Sequence, residues 1–389
     1  MILLCVQNAI LVPTVNLLSQ SKPDSHIRPT DTTNSKGSRT CNPRRMRQVD
    51  AMSDAKPKAA FFHMDRDGGP LFKVWTEDRV RRLHEHCDMI PGVVVPEDLE
   101  SRRDELAEVE YGFSTWGMPE LTDAHLDCLP GLTDVFYAAG SVQTFARPLL
   151  RRNIRVHSAW VANAIPVSEF ALAQILLACK GYFRNSRERR RGGTMADARA
   201  YAGPGIYGNR VALIGYGMIA RKLRALLRPF SLEVLVVDPY LDEEEIASEE
   251  IERVSLEQAF ERAYVVSNHL PNIPETQEMI RGDHFNRLQP GATFINTGRG
   301  QQVNEPEMIE VLREREDITA LLDVTWPEPP ESGSPLYDLP NVHLSGHIAG
   351  SIHHEVVRMA DYMLDELELR LTGRPGQYEV SLEMLKTMA

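Results

Sequence analysis

Three side chains suited to carbonyl chemistry appear late in the chain, each just past a short apolar run: Arg299 after ATFINTG, Glu328 after LLDVTWP, and His347 after NVHLSG. An arginine presents a planar, permanently charged fork that binds a carboxylate and polarises an adjacent carbonyl. Histidine is the side chain that most readily gives a proton in one direction and takes it in the other near working pH. A carboxylate beside it favours the imidazolium and orients the ring. Such a set fits the reduction of a 2-oxo acid, provided a hydride donor stands next to it. Taken singly, Arg299 and Glu328 read as members of surface ion pairs. His343 and His347, four apart in HLSGH, read as strand and loop histidines.

The segment VALIGYGMIARKL (211–223) supplies a place for the hydride donor. An apolar strand runs straight into Gly215-Tyr216-Gly217-Met218-Ile219-Ala220 and then into a helical pattern. The first glycine permits the tight turn, the second lets backbone N–H groups approach a pyrophosphate, and the small third position, Ala220, lets helix and strand pack closely. The next strand, EVLVVDPY, ends in Asp238, eighteen residues after Ala220. There a carboxylate accepts hydrogen bonds from ribose hydroxyls and repels a 2′-phosphate, and Pro239 and Tyr240 offer no cation for one. NAD is therefore expected over NADP, although an acid at a strand exit also has a plain structural reading.

These residues need elements to bring them together. From KAAFFHM (58–64) onward, short β-branched runs alternate with amphipathic helical patterns, the signature of parallel sheet covered on both faces. Strands are expected at GVVVP, YGFST and DVFYAAG. Helices are expected at TEDRVRRLHEHC, with Thr76 as N-cap, and at DLESRRDELAEV and LTDAHLDCLP. Residues 165–191 read as one long helix, nearly all apolar from Phe170 to Cys179, which must be buried all round or packed on a partner. Its basic end, Arg187 to Arg191, suits the helix dipole better than it suits a nucleic acid. After the breaker YAGPGIYGN (201–209), a second series follows with at least six strands, from RVALIGYG to NVHLSGH. One last helix follows Gly350, with His353 and His354 in its first turn. In an open parallel sheet, ligands sit at the carboxyl ends of strands, where Arg299, Asp323, Glu328 and His347 all fall.

Composition narrows the classes. The chain has 389 residues, 42% hydrophobic and 25% charged, enough for two domains. A net charge of −12 opposes general affinity for nucleic acid or anionic membrane. The five cysteines (Cys5, Cys41, Cys87, Cys128, Cys179) show neither disulfide nor zinc spacing, so no metal is expected and reduced thiols in a cytoplasmic protein fit best. Residues 1–56 read as a disordered extension. The apolar start, MILLCVQNAILVPTVNLL, lacks the basic residues of a secretory signal, and the polar stretch after it is too poor in apolar residues to fold. Met46 or Met52 is an alternative start. No run approaches eighteen uninterrupted apolar residues, so no membrane span is expected.

From about residue 110 to 370, the chain resembles the NAD-dependent D-isomer-specific 2-hydroxyacid dehydrogenase family. The resemblance rests on GYGMIA with Asp238, HLPNIPET (269–276), INTGRGQQVNE (295–305), LLDVTWPEPP and SPLYDLPNVHLSGHIAG (334–350), in that order. It implies an α/β architecture: a Rossmann-type, doubly wound cofactor domain at 161–350, and a discontinuous flavodoxin-like substrate domain at 57–160 and 351–389. It implies that Arg299 binds the substrate, His347 is the acid/base and Glu328 the carboxylate partner of that histidine, while His343 belongs to a strand. Cofactor contacts are implied at Gly215, Tyr216, Gly217, Met218, Ile219, Asp238, Leu270, Pro271, Thr297, Gly298, Ala349 and Gly350, with Asp323 on the nicotinamide carboxamide. Substrate contacts are implied at Trp116, Gly140, Ser141 and Arg299, Trp116 being either a bulky wall or a core residue. The 165–185 helix would join a homodimer through the cofactor domain.

The departures are small. Gly346 stands where proline is common before the histidine, Gly298 where alanine is usual, and Asn304 where aspartate is usual. FSTWGMP (113–119) and AAGSVQTF (138–145) lack the arginines of phosphoglycerate-type members, which disfavours a phosphorylated substrate. Formate dehydrogenases pair their histidine with glutamine, so Glu328 points to a true hydroxy acid. The rival of a different class is the co-repressor branch, an NAD-sensing interaction module on the same fold.

Overall fold

The computed structural model describes residues 55–192 and 194–388; the N-terminal extension, with Cys5, Cys41, Met46 and Met52, lies outside them. Two sheets carry the chain. The first is built from β1 (Lys58–Phe62), β2 (Asp88–Val94), β3 (Val109–Ser114), β4 (Asp134–Tyr137), β5 (Arg155–Ser158) and β13 (Glu379–Val380). The second contains β6 (Asn209–Ile214), β7 (Leu232–Val237), β8 (Ile251–Arg253), β9 (Val265–Asn268), β10 (Thr293–Asn296), β11 (Thr319–Leu322) and β12 (Val342–Leu344).

The first sheet runs in the order β13-β5-β4-β3-β1-β2, parallel except for β13 against β5. Its first five strands give the flavodoxin order 2-1-3-4-5. The short strands are apolar along their length because helices cover both faces; β4 is buried throughout and β1 in all but its first residue. Aromatic side chains fill the core across the strands. Phe113 stacks on Phe136 at 5.2 Å, and Phe136 stacks on the His157 ring at 4.7 Å.

The second sheet runs β12-β11-β10-β9-β6-β7-β8, all parallel. The reversal of strand order at β6 opens a crevice at its carboxyl end, the place where a dinucleotide binds in this topology. β8 was not expected: three residues between two short helices, Glu243–Glu249 and Leu256–Arg262, carry too little pattern to read. The doubly wound α/β architecture with two sheets is otherwise the expected one.

The chain leaves the second sheet after β12, passes through a single 3-10 turn at His353–Glu355, and enters the helix Val357–Leu371. That turn, not the helix, holds the neighbouring histidines, and His353 sits at φ 47°. The helix buries Met359, Met363, Leu364 and Leu367 in the first core. A buried ionic clamp secures it. Glu366 Oε2 lies 2.9 Å from His157 Nδ1, and Asp134 Oδ1 lies 3.0 Å from Nε2. Arg155 and Arg370 also reach Asp134. Burial opposes a charge on His157, but the two carboxylates outweigh it and hold its pKa above the ordinary histidine value. Burial likewise opposes charge on Asp134 and Glu366, yet their partners keep both below the usual carboxylate range.

Two expected helices are broken. DLESRRDELAEV forms only the single turns Asp98–Ser101 and Arg103–Leu106, separated at Arg102. Residues 165–191 form not one helix but two, Trp160–Cys179 and Tyr182–Arg190. The break falls at Gly181, which adopts φ 69° and lies so close to the 201–203 loop that a Cβ would come within 2.4 Å of the Gly203 nitrogen. The first of these helices is long and apolar enough to cross a membrane by length and composition alone. It is not buried all round. Ala171, Ile175, Ala178 and Cys179 pack into the second core, whereas Glu169, Ala173 and Leu177 face outward.

Candidate active site

The reading of Arg299, Glu328 and His347 as a set has a geometric counterpart at the carboxyl ends of β10, β11 and β12. Glu328 Oε1 lies 2.6 Å from His347 Nδ1. Both side chains are partly open, 38% and 45% exposed, as groups facing a cleft must be. Arg299 is half-buried. Burial lowers its pKa, and the negative charge of Glu328 partly offsets that. Its Nη1 donates to the Gly298 carbonyl at 2.7 Å, and among the described residues no carboxylate lies within ion-pair distance of its guanidinium. The remaining donors are available to a ligand.

The histidine loop is held from below. Asp323 is 2% exposed. Its Oδ1 accepts from Ser345 Oγ at 2.6 Å and from Ile348 N at 2.9 Å, and its Oδ2 accepts from Ala349 N at 2.9 Å. The His347 N–H donates to the Asp323 carbonyl, and His347 itself sits at φ 54°. Asp323 thus fixes the loop of His347, and a contact with a nicotinamide amide would be additional to these three bonds. His343 lies in the edge strand β12, opposite Leu321 and against the Phe183 ring, away from the set.

The loops after β3 and β4 carry the expected substrate residues. Trp116 is 37% exposed, which rules out the core reading; the core tryptophan is Trp75. Sequence reasoning missed His63, which supports the Trp116 loop. Asp65 N–H donates to His63 Nδ1 at 2.8 Å, so Nε2 carries the proton and donates to the Trp116 carbonyl at 3.0 Å. Gly117 has to be glycine there, because a Cβ would stand 2.1 Å from that nitrogen. Ser158 Oγ donates to the Gly140 carbonyl at 2.8 Å, next to half-buried Ser141. Asn163 was missed as well. Its Oδ1 accepts from Ser351 N at 3.0 Å, and its side chain lies against both Gly140 and Gly350. It therefore joins the β4 loop to the loop that follows His347. No local pattern marked it, since its bond to Ser351 spans 188 residues of chain.

The glycine turn fits a dinucleotide. Gly215 adopts φ 82°, and a Cβ there would meet the His269 carbonyl at 2.9 Å; above Gly217 a Cβ would meet nothing within 4 Å. That open side lies at the N-terminus of the helix Met218–Leu227, whose first turn has no side-chain cap. Unsatisfied N–H groups of this kind receive a phosphate. Met218 and Ile219 begin that helix, and Ala220 is fully buried beneath it. Asp238 accepts from Tyr216 N through Oδ2 and from Tyr240 N through Oδ1, both at 2.8 Å.

Tyr216 corrects the expectation in part. Its N–H donates to Asp238 and its ring is buried in the second core, with Arg221 over it at 5.0 Å, and burial pushes its phenol up to about 12. Arg221 of this helix is paired with Glu245, and Arg228 at its C-terminal end with Glu249. On the other wall, Leu270 and Pro271 follow β9, while Thr297 and Gly298 follow β10. Thr297 is buried, its Oγ1 3.4 Å from His269 Nδ1. Burial drives the His269 pKa down to about 4. Among the described residues, no group of three or more His, Cys, Asp or Glu is placed to hold a metal ion.

The fold and this turn define a nicotinamide-dinucleotide-dependent dehydrogenase architecture. Residues 172–349 match the family model for the D-isomer specific 2-hydroxyacid dehydrogenase NAD binding domain. Residues 172–349 thus form the NAD-binding domain of that family, which makes the protein an NAD-dependent 2-hydroxyacid dehydrogenase acting on a CH–OH donor, with NAD as its cofactor. It is 28% identical to a glyoxylate reductase of Korarchaeum cryptofilum over 252 residues, 64% of this chain and 76% of that one. It is also 28% identical to D-3-phosphoglycerate dehydrogenase of Mycobacterium leprae over 222 residues; the match spans 57% of this chain but only 42% of that enzyme's length. Among solved structures, a phosphoglycerate oxidoreductase of Rhizobium etli superposes with a TM-score of 0.71 at 21% identity, covering 85% of this chain and all of that one. At that identity the likeness speaks for the fold.

Proposed function

We propose that the protein interconverts a non-phosphorylated 2-oxo acid and its D-2-hydroxy acid, with Arg299, Glu328 and His347 as the catalytic set. The single observation that carries this reading is the 2.6 Å contact of Glu328 with His347 Nδ1 beside an Arg299 that has no carboxylate partner among the described residues. Arg299 binds the substrate carboxylate and polarises the 2-oxo group. With Nδ1 directed at Glu328, His347 presents Nε2 to the carbonyl oxygen and donates its proton there. Glu328 stabilises the imidazolium before transfer, and in the reverse direction His347 takes the hydroxyl proton back. When bound, NADH supplies the hydride. Gly215 to Ile219 and Asp238 would hold its phosphate and ribose portions, with Leu270, Pro271, Thr297, Gly298, Ala349 and Gly350 along the rest.

The exposed Trp116 and the absence of arginine from residues 113–119 and 138–145 support an uncharged, bulky substituent on the substrate. Residues 57–160 with 351–389 would act as the substrate domain and 161–350 as the cofactor domain. The outward Ala173 and Leu177, with half-buried Phe170, suit a homodimer through the cofactor domain. Cys87, Cys128 and Cys179 are buried free thiols, in keeping with a reducing, cytoplasmic setting.

The test is NADH oxidation with glyoxylate, hydroxypyruvate, phenylpyruvate and 3-phosphohydroxypyruvate. Turnover of an unphosphorylated acid with little of the phosphorylated one is expected. Preference for the phosphorylated acid would overturn the substrate reading. NADH binding without turnover of any acid would favour the NAD-sensing interaction module.

A further inference from the structure

The departure at Gly298 has a physical cause. A Cβ at residue 298 would lie 2.5 Å from Gln302 Oε1 and 3.0 Å from Asn268 Nδ2. The space is taken by three buried side-chain amides, Asn268, Asn296 and Gln302, on three different segments of the chain. Asn268 Nδ2 donates to Gln302 Oε1 at 2.6 Å and to Asn296 Oδ1 at 3.0 Å. Gln302 Oε1 also accepts the Arg299 N–H at 2.9 Å, while Gln302 Nε2 donates to the carbonyls of Leu270 at 2.7 Å and Pro271 at 2.9 Å. Asn296 completes the arrangement. Its Oδ1 accepts from Gly298 N at 3.1 Å, and its Nδ2 donates to the Arg299 carbonyl at 3.2 Å.

We propose that Gln302, with Asn268, is a positioning residue for the reaction: the buried amide hub fixes the main chain of Arg299 and fastens it to the Leu270–Pro271 loop that follows the adjacent strand β9. Both the N–H and the carbonyl of Arg299 are bonded within the hub. The guanidinium is thereby aimed from a rigid base, though among the described residues its hydrogen bond is the one to the Gly298 carbonyl. A fully paired polar network in a dry setting resists displacement, because every alternative leaves a buried amide without a partner. Gly298 is the steric counterpart of the hub, the only residue that leaves room for the Gln302 oxygen. The proposal rests on the reading of Arg299 as the substrate-binding cation.

The variant that tests it is Asn268→Leu with Gln302→Leu. Replacing both side chains by apolar groups of similar size removes the hub and leaves the N–H groups of Leu270 and Arg299 and the Leu270 carbonyl without these partners. Asn296 keeps its bonds to Gly298 N and the Arg299 carbonyl, and Gly298→Ala, which leaves all three amides in place, carries the test if the double variant does not fold. With phenylpyruvate or whichever acid the wild type turns over best, kcat/KM is expected to fall about tenfold or more, mostly through KM, the direction expected when a substrate-orienting group is displaced. Gly298→Ala alone should act the same way by pushing Gln302 aside. Adding Gly298→Ala to the double leucine variant should cost little more, since leucine is one heavy atom shorter than glutamine and the colliding oxygen is gone. A double leucine variant with altered melting temperature but wild-type KM and kcat would overturn the proposal, as would full additivity of Gly298→Ala with it. Arg299→Leu separates the two readings. If that variant also keeps wild-type kinetics, the role of Arg299 fails and the hub proposal with it; if Arg299→Leu is crippled while the double leucine variant is normal, the hub proposal alone fails.

Discussion

Glu328 Oε1 stands 2.6 Å from Nδ1 of His347, although 19 residues of chain separate them and they belong to loops after different strands. The pair is oriented from the protein side, with the His347 N–H on the Asp323 carbonyl and the next two N–H groups of interest, those of Ile348 and Ala349, on the Asp323 carboxylate. Glu328→Gln retains a hydrogen-bonding partner for the ring but not the charge. It is expected to lower kcat roughly 10- to 100-fold, less than the 10²- to 10⁴-fold of losing general acid–base catalysis outright, because His347 remains, while the NADH dissociation constant stays near wild type. Steady-state kinetics and fluorescence titration check this; an unchanged kcat would remove Glu328 from proton transfer.

Arg299→Lys tests the fork against a point charge. Lysine keeps the cation but cannot pair with a carboxylate in the bidentate geometry. KM for the 2-oxo acid is expected to rise by about tenfold or more, with the larger loss if the carbonyl is also polarised by the second guanidinium nitrogen. Equal kinetics in the two proteins would argue that the carboxylate is bound elsewhere.

Asp238→Ala removes the acceptor for two backbone N–H groups, those of Tyr216 and Tyr240, as well as the ribose contact. NADH binding should weaken by about tenfold, the equivalent of one charge-assisted hydrogen bond, and the preference over NADPH should shrink. Retention of full discrimination in a fluorescence titration would place the selectivity in other residues.

The clamp of Asp134, His157 and Glu366 predicts a pH dependence of stability. His157 has a folded pKa raised above its ordinary value of 6.5. Its stabilisation is therefore fully present below that value and is lost as pH rises through the raised pKa. The melting temperature of the wild type should fall over this alkaline-going window, and His157→Gln should flatten the slope. His157→Leu removes a donor from two buried carboxylates, leaving Asp134 to Arg155 and Arg370 and Glu366 to the Gln377 N–H, and should cost up to about 3 kcal/mol, the low end for breaking a buried pair. Parallel pH profiles for wild type and His157→Gln would show that the imidazolium contributes nothing.

How much of this was legible in the sequence depends on how far apart the interacting residues lie. Arg299, Glu328 and His347 each sit just past a strand within a recognisable string, and parallel topology brings strand ends together, so their approach followed from order alone. The glycine turn was legible for the same reason, but not the inward direction of the Tyr216 ring, because the pattern specifies backbone rather than side chain there. Gly298 was visible as a departure while its cause was hidden: Asn268 and Gln302 are 34 residues apart and ordinary polar residues in isolation. Asn163 and His63 were missed because they act across loops. The long apolar run at 165–179 outweighed Gly181 in the sequence, whereas in the fold the close approach of residues 201–203 makes that glycine the break between two helices.

The most direct measurement of the central claim compares wild type with His347→Ala for NADH oxidation at 340 nm, using the 2-oxo acid that the wild type turns over best, alongside NADH titration by fluorescence. Loss of the proton donor should lower kcat by about 10²- to 10⁴-fold while the NADH dissociation constant stays within about threefold, less than the tenfold that 1.4 kcal/mol would produce. Turnover by His347→Ala at the wild-type rate would contradict the account.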